Sequence, residues 1–206
     1  GFLFAALPGA KVDGRAFMRP AVDAGAAAIL AGEAHPELPV PVAAAWDVRR
    51  AYALAAGAFY GTQPRTVVAV TGTNGKTSVA AFCRQIFDSL GHKAASMGTL
   101  GVALSPRAGG EQLLPPGLTT PDAGDVAANL ADLARRGVTH LCMEASSHGI
   151  DQRRLDAVQL AAAGFLNLTQ DHLDYHGTMG AYRASKLRLF DTLLPREGTA
   201  VLNADS

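Results

Sequence analysis

The chain has 206 residues, 49% hydrophobic and 17% charged, enough to bury one large or two modest cores. Eighteen basic residues balance eighteen acidic ones with no basic block, which argues against a nucleic-acid partner. The longest strongly apolar stretch, Ala24 to Ala31, is far too short to span a bilayer, so a soluble protein with no membrane partner is predicted.

In chain order, Phe2 to Ala6 reads as a strand and Gly14 to Ala24 as a helix. Ala27 to Leu30 and Pro41 to Ala44 read as strands flanking a proline-rich loop, and Trp46 to Tyr60 as a helix. Gly61-Thr62-Gln63-Pro64 is the expected boundary, because Pro64 ends the helical pattern just before the next apolar run. This predicts a small α/β domain over residues 1–64 and a second domain over 65–206.

In the second domain, strands are predicted at 67–71, 94–98, 139–144, 163–168 and 199–202, with helices at 77–90, 122–136 and 178–194. That alternation argues an α/β fold with a mostly parallel sheet covered by helices on both faces. Ligands in such sheets sit at the carboxyl ends of the strands. The Gly- and Pro-rich stretch from Ser105 to Pro121 is long enough to suggest a binding role. Cys83 and Cys142 each lie in an apolar periodic segment and read as buried free thiols, which fits a reducing cytoplasm.

Thr71-Gly72-Thr73-Asn74-Gly75-Lys76-Thr77 follows the apolar run Val67 to Val70 and leads into a helical pattern from Ser78. A strand, a glycine-rich turn and a helix N-terminus make a phosphate cradle. Its glycines admit backbone N–H groups to phosphate oxygens, Lys76 supplies a cation and the Thr77 hydroxyl suits Mg²⁺. The common pattern G-x-x-x-x-G-K-[ST] would need glycine where Val70 stands, so the loop is a variant. The plain alternative is a Gly/Asn turn with a solvated lysine, but the strand-to-helix placement favours a nucleoside triphosphate.

Glu144 ends one predicted strand, and Asn167, Thr169, Asp171 and His172 end or follow another, so they should gather at the edge that carries Lys76 and Thr77. Mg²⁺ on a triphosphate wants hard oxygen ligands nearby. In the helix 178–194, Lys186 lies four residues after Tyr182 and four before Phe190 on the apolar stripe of Met179 and Leu193, so it should point inward. A buried ammonium must snorkel, find an acid or lose its charge. With four lysines against fourteen arginines, a position that needs a deprotonatable amine is a further reading.

These segments, with Thr119-Thr120-Pro121, Met143 to Gly149, Asn167 to Gly177 and Tyr182 to Lys186, resemble the Mur ligase family. Leu3-Phe4, Asp13-Gly14-Arg15 and Gly25-Ala26 resemble its uridine-binding N-terminal domain. The resemblance implies an ATP-dependent ligase that joins a diamino acid, most commonly meso-diaminopimelate, to the D-glutamate carboxylate of UDP-N-acetylmuramoyl-L-alanyl-D-glutamate through an acyl phosphate. It implies a cytoplasmic monomer.

The same resemblance assigns phosphate binding to the 71–77 loop with Asn167, and Mg²⁺ binding to Thr77, Glu144, His172 and a Lys186 that carries CO₂ as a carbamate. Thr119, Thr120, Ser146, Gln152 and Arg154 match positions that hold the muramoyl-peptide substrate, while Leu118 stands where some relatives carry asparagine. Family members have a further C-terminal domain, so the sequence is expected to be a fragment. Another Mur-type or folylpolyglutamate-type ligase, or for the fragment a non-catalytic nucleotide-binding module, stay open as alternatives.

Overall fold

The computed structural model describes residues 1–9 and 12–205. The chain divides into two compact units, Gly1–Ala55 and Ala56–Ser206. The division falls before the Gly61 to Pro64 segment. Gly57 packs so closely on Ala157 that an added Cβ would lie 2.6 Å from the alanine methyl, and the Gln63 side-chain amide donates to the Ala157 carbonyl at 2.7 Å. The last helical turn before the expected boundary therefore belongs to the second unit.

In the first unit, strands β1 (Phe2–Ala5), β2 (Ala26–Ala31) and β3 (Val42–Ala44) form a parallel sheet in the order β1-β2-β3. The predicted helix at 14–24 is a 3₁₀ turn, Gly14–Phe17, capped by Asp13 through the Arg15 amide, followed by a short helix α1 (Met18–Asp23). Ala6, Met18, Ile29 and Ala31 make the small core. Helix α2 (Val48–Tyr60) follows, its first turn held by the Asp47 carboxylate accepting from the Arg50 amide at 3.0 Å.

The second unit is built on a seven-stranded sheet. Its elements run β4 (Thr66–Thr71), α3 (Lys76–Ser89), β5 (Ala94–Gly98), β6 (Gly101–Leu104), β7 (Gln112–Leu114), α4 (Ala123–Arg135) and β8 (His140–Glu144). Then come α5 (Ser147–Asp151), β9 (Leu160–Phe165), α6 (Leu173–His176), α7 (Met179–Arg188) and β10 (Thr199–Leu202). The strand order is β10-β9-β4-β8-β5-β6-β7, with every pair parallel except the β5-β6-β7 meander.

Alternation along β4 and β8 separates the two faces. Val70 and Cys142 pack with Ala80 of α3, against which Val68, Val79 and Cys83 also lie. Val67, Ala69, Leu141 and Met143 face the other way into the main core with Val126, Leu130 and Leu133 of α4. Both cysteines are free thiols on the α3 side, Cys142 buried and Cys83 only partly so.

Four sequence expectations shift. Residues 101–104 form β6, which pairs tightly back on β5 with Gly98 opposite Gly101, and part of the stretch from Ser105 to Pro121 becomes β7. Strand β9 ends at Phe165 rather than 168, because Asn167 leaves the ladder to clasp the backbone of Asn74. The sequence reading left 147–151 and 173–176 without helices, yet α5 and α6 form there. The helix 178–194 is α-helical only to Arg188 and closes through a turn in which the Leu194 amide reaches the Leu189 carbonyl five residues back. Leu189, seven residues after Tyr182 and three after Lys186, is fully buried on that helical face, while Phe190 is only partly buried.

Helix α7 is pinned by a buried ion pair. Arg188 reaches both Asp156 carboxylate oxygens, at 2.9 and 2.5 Å, and donates to the Ile150 carbonyl at 3.1 Å. The Asp156 side chain is only 2% exposed. Removing one partner strands the other's charge, so Asp156→Ala should cost about 3–5 kcal/mol. That loss should appear as a lowered denaturation midpoint with an unchanged slope. A loss below about 1 kcal/mol, the value of a surface pair, would show that Arg188 finds other compensation.

Candidate active site

The carboxyl ends of β4, β8 and β9 bring the predicted residues together. At the end of β4, Gly75 caps α3 with a φ of 85°, a left-handed conformation that a side chain would strain. The Asn167 carboxamide clasps the loop, accepting from the Asn74 amide at 2.9 Å and donating to its carbonyl at 3.1 Å. Asn167 thus shapes the cradle through its backbone. Thr73 is held as well: its hydroxyl donates to the Thr169 carbonyl at 3.1 Å, accepts from the Thr169 amide at 3.0 Å and lies 3.2 Å from the Tyr182 hydroxyl.

Two ammonium groups share one acceptor in this loop. Lys76 donates to the carbonyls of Gly72 at 2.8 Å and Thr73 at 2.9 Å. Lys186, 1% exposed, donates to the same Gly72 carbonyl at 2.9 Å, and its Nζ lies 4.5 Å from the centre of the Tyr182 ring. The inward direction expected for Lys186 is therefore present, without an acid on its ammonium. Burial, and then the neighbouring Lys76, push its pKa down to about 7, with Asp171 opposing. Burial also lowers the pKa of Lys76, against the pull of Glu144 and Asp171.

Glu144, at the end of β8, is 2% exposed. Among the described residues only Thr99 meets its carboxylate, the amide at 2.9 Å from Oε1 and the hydroxyl at 3.3 Å from Oε2. Gly98 makes room for it, since a Cβ there would fall 2.0 Å from Oε1. A buried carboxylate with no cation beside it and two ammonium groups with no anion are a donor set that suits a metal-bound polyphosphate. The Thr71 hydroxyl is buried with no partner among the described residues, which adds an unused polar group at the mouth of the loop. The residues therefore fit Mg²⁺ and a triphosphate, with Thr77 and Glu144 as hard ligands.

The remaining site residues separate into supports and a rim. Thr120 donates to the Glu144 carbonyl at 3.0 Å and accepts from the Ser146 amide at 3.0 Å. Ser146 in turn caps α5 through the Gly149 amide. Arg154 donates to the Thr120 carbonyl at 2.6 Å and to the Gln152 side chain at 2.7 Å, tying the two segments together.

His172 sits at the start of α6 with φ 51°, its amide bonded to Asp171 Oδ1 at 2.8 Å. Its ring lies 4.8 Å from that of His148, edge to face, and Tyr175 and His176 complete an aromatic group around His148. Thr99, Tyr182 and Gly98 escaped the sequence reading as site residues. The nearest signals were the glycine pair around Thr99-Leu100 and the position of Tyr182 one helical turn before Lys186. In the first unit, a cleft of about 300 Å³ is lined by Ala6, Asp13, Arg15, Trp46 and Arg49 among others.

Residues 70–206 match the Mur ligase middle domain. The whole chain aligns at 71% identity over 208 residues with 43% of the UDP-N-acetylmuramoyl-L-alanyl-D-glutamate–2,6-diaminopimelate ligase of Caulobacter vibrioides. It aligns at 55% over 205 residues with 41% of the ligase of that name from Agrobacterium fabrum. A solved UDP-N-acetylmuramoyl-L-alanyl-D-glutamate–2,6-diaminopimelate ligase superposes with a TM-score of 0.82 at 32% identity, covering 98% of this chain and 40% of that one. The chain spans less than half the length of the curated relatives it matches. With the motifs of the phosphate loop, β8 and α7 all inside the matched region, the chain belongs to the Mur ligase family.

Proposed function

We propose that this chain supplies the nucleotide- and substrate-binding parts of an ATP-dependent amide ligase of peptidoglycan precursor synthesis. The enzyme adds a diamino acid, meso-diaminopimelate, to the D-glutamate side-chain carboxylate of UDP-N-acetylmuramoyl-L-alanyl-D-glutamate. The observation that carries this reading is that Lys76 and Lys186 both donate to the Gly72 carbonyl just after β4, that buried Glu144 ends the adjoining strand β8 opposite Val70, and that Thr99 links the Glu144 carboxylate to Thr119. A phosphate cradle and a peptide-binding rim then share one edge, as phosphoryl transfer between their ligands requires. The names of the similar ligases support the same substrate.

In this reading residues 65–206 bind ATP and residues 1–64 bind the uridine end of the substrate in the Arg15 and Trp46 cleft. The reaction transfers the γ-phosphoryl group of ATP to a carboxylate oxygen, releasing ADP. The amine of the diamino acid then attacks the acyl carbon and loses a proton as phosphate departs. Lys76 and the backbone of Gly72 to Thr77 hold the phosphates, and Lys76 faces the charge that builds on the transferred oxygens. When bound, Mg²⁺ neutralises phosphate charge, held by Thr77 and Glu144 at one position and by His172 and a Lys186 carbamate at a second. Thr119, Thr120 and Ser146 position the peptide, with Gln152 and Arg154 fixing the Thr120 backbone.

A carbamate resolves the charge problem at Lys186. The neutral amine adds to the carbon of CO₂ and releases a proton, so a buried cation becomes an anionic oxygen ligand. The three substrates are all water-soluble, and no helix of the described residues is long and apolar enough to cross a membrane. We assign the enzyme to the cytoplasm and read it as a monomer.

Lys76→Ala in the full-length enzyme should leave the melting transition nearly unchanged and abolish release of phosphate that depends on UDP-N-acetylmuramoyl-L-alanyl-D-glutamate. Retained turnover would remove Lys76 from the phosphate cradle. Lys186→Ala should lose most activity and regain part of it with a short carboxylate such as acetate, while Lys186→Arg stays inactive because arginine keeps its charge and takes no CO₂. Full activity in the arginine variant would exclude the carbamate.

A further inference from the structure

The Thr99 hydroxyl sits between two groups with different duties. Its Oγ1 is 2.9 Å from Thr119 Oγ1 and 3.3 Å from Glu144 Oε2. An ionised carboxylate only accepts, and a hydroxyl has one proton to give. With the carboxylate free, the Thr99 proton goes to Glu144, Thr119 must donate to Thr99, and Thr119 turns only lone pairs towards a ligand. A divalent cation on Glu144 competes for the Oε2 lone pairs. The Thr99 proton is then free to turn to Thr119, and the Thr119 proton can be given to a carboxylate or phosphate oxygen of the substrate.

We propose that Thr99 is a positioning residue whose hydroxyl couples cation occupancy at Glu144 to the hydrogen-bond polarity of Thr119. Metal binding thereby turns Thr119 into a donor for the anionic peptide-nucleotide substrate. This inference rests on the ligase reading for its two ligands, and on the three-residue chain of contacts for its direction. The Thr99 amide keeps Oε1 in place at 2.9 Å whatever the side chain, so replacing the hydroxyl leaves the carboxylate held. Thr99 is exposed, so a valine of the same shape fits.

The test is calorimetric titration of UDP-N-acetylmuramoyl-L-alanyl-D-glutamate, without ATP, in the presence and absence of Mg²⁺. In the unaltered protein Mg²⁺ should tighten Kd about tenfold, a coupling of ordinary allosteric size. Thr99→Val should bring the two constants within about twofold of each other, and Thr99→Ser should restore the difference. Should Thr99→Val fail to fold, Thr119→Val should erase the same Mg²⁺ effect by weakening binding in the presence of Mg²⁺ to the Mg²⁺-free value and leaving the Mg²⁺-free value nearly unchanged.

A Mg²⁺ effect kept in full by Thr99→Val would place the metal on the ligand's own pyrophosphate and overturn the relay. Absence of any Mg²⁺ effect in the unaltered protein would overturn it too. If the unaltered protein bound the ligand in neither condition, the substrate assignment itself would fall, and the relay with it.

Discussion

Two lysine ammonium groups donating to one carbonyl, that of Gly72, are the constraint around which this molecule is arranged. Burial disfavours a charge on Lys186 and the neighbouring Lys76 repels it, which together push its pKa down to about 7. A hydrogen bond to a neutral acceptor returns about 1 kcal/mol. The arrangement is therefore held in place by its surroundings and is relieved by an anion or by loss of one charge. The Asn167 clasp fixes the loop, the Thr73–Tyr182 contact ties it to α7, and the Arg188–Asp156 pair anchors the far end of that helix. Rigid supports on three sides let the cationic pair persist until its ligand arrives.

Glu144 is the complementary charge at the same edge, buried beside Thr99 and unpaired with either lysine within ion-pair distance among the described residues. Keeping the carboxylate and the ammonium groups apart leaves both available to a ligand that carries its own cation and anion together. Metal-bound polyphosphate is such a ligand. Thr120 is bonded to the Glu144 carbonyl and to the Ser146 amide, so the Thr119–Thr120 segment is tied directly to the end of β8. Membership in the Mur ligase family gives this geometry its chemical context.

Much of this was legible in the sequence because each signal was local. Strand, glycine turn and helix N-terminus at 66–77, and the period-four placement of Lys186 after Tyr182, are short-range patterns that packing leaves intact. What escaped depends on contacts between distant segments. Strand β6 forms because Gly98 and Gly101 let the chain fold straight back, and the α-helix gives way after Arg188 to a wider turn closed by the Leu194 amide on the Leu189 carbonyl. The roles of Gly98 and Thr99 show only when Glu144, 45 residues on, is placed against them. Arg154 gives two of its forked donors to the Thr120 carbonyl and the Gln152 side chain, and the Thr120 contact, 34 residues away, has no local signal in the sequence.

In the proposed function the 71–77 loop binds phosphate and recognises a nucleotide by its charge. Titration of the chain with MgATP and, separately, with adenosine isolates that term. MgATP should bind saturably and adenosine at least about tenfold more weakly, the factor that about 1.4 kcal/mol of phosphate contacts would give. Equal affinities for the two, or no binding of MgATP, would contradict that role of the loop.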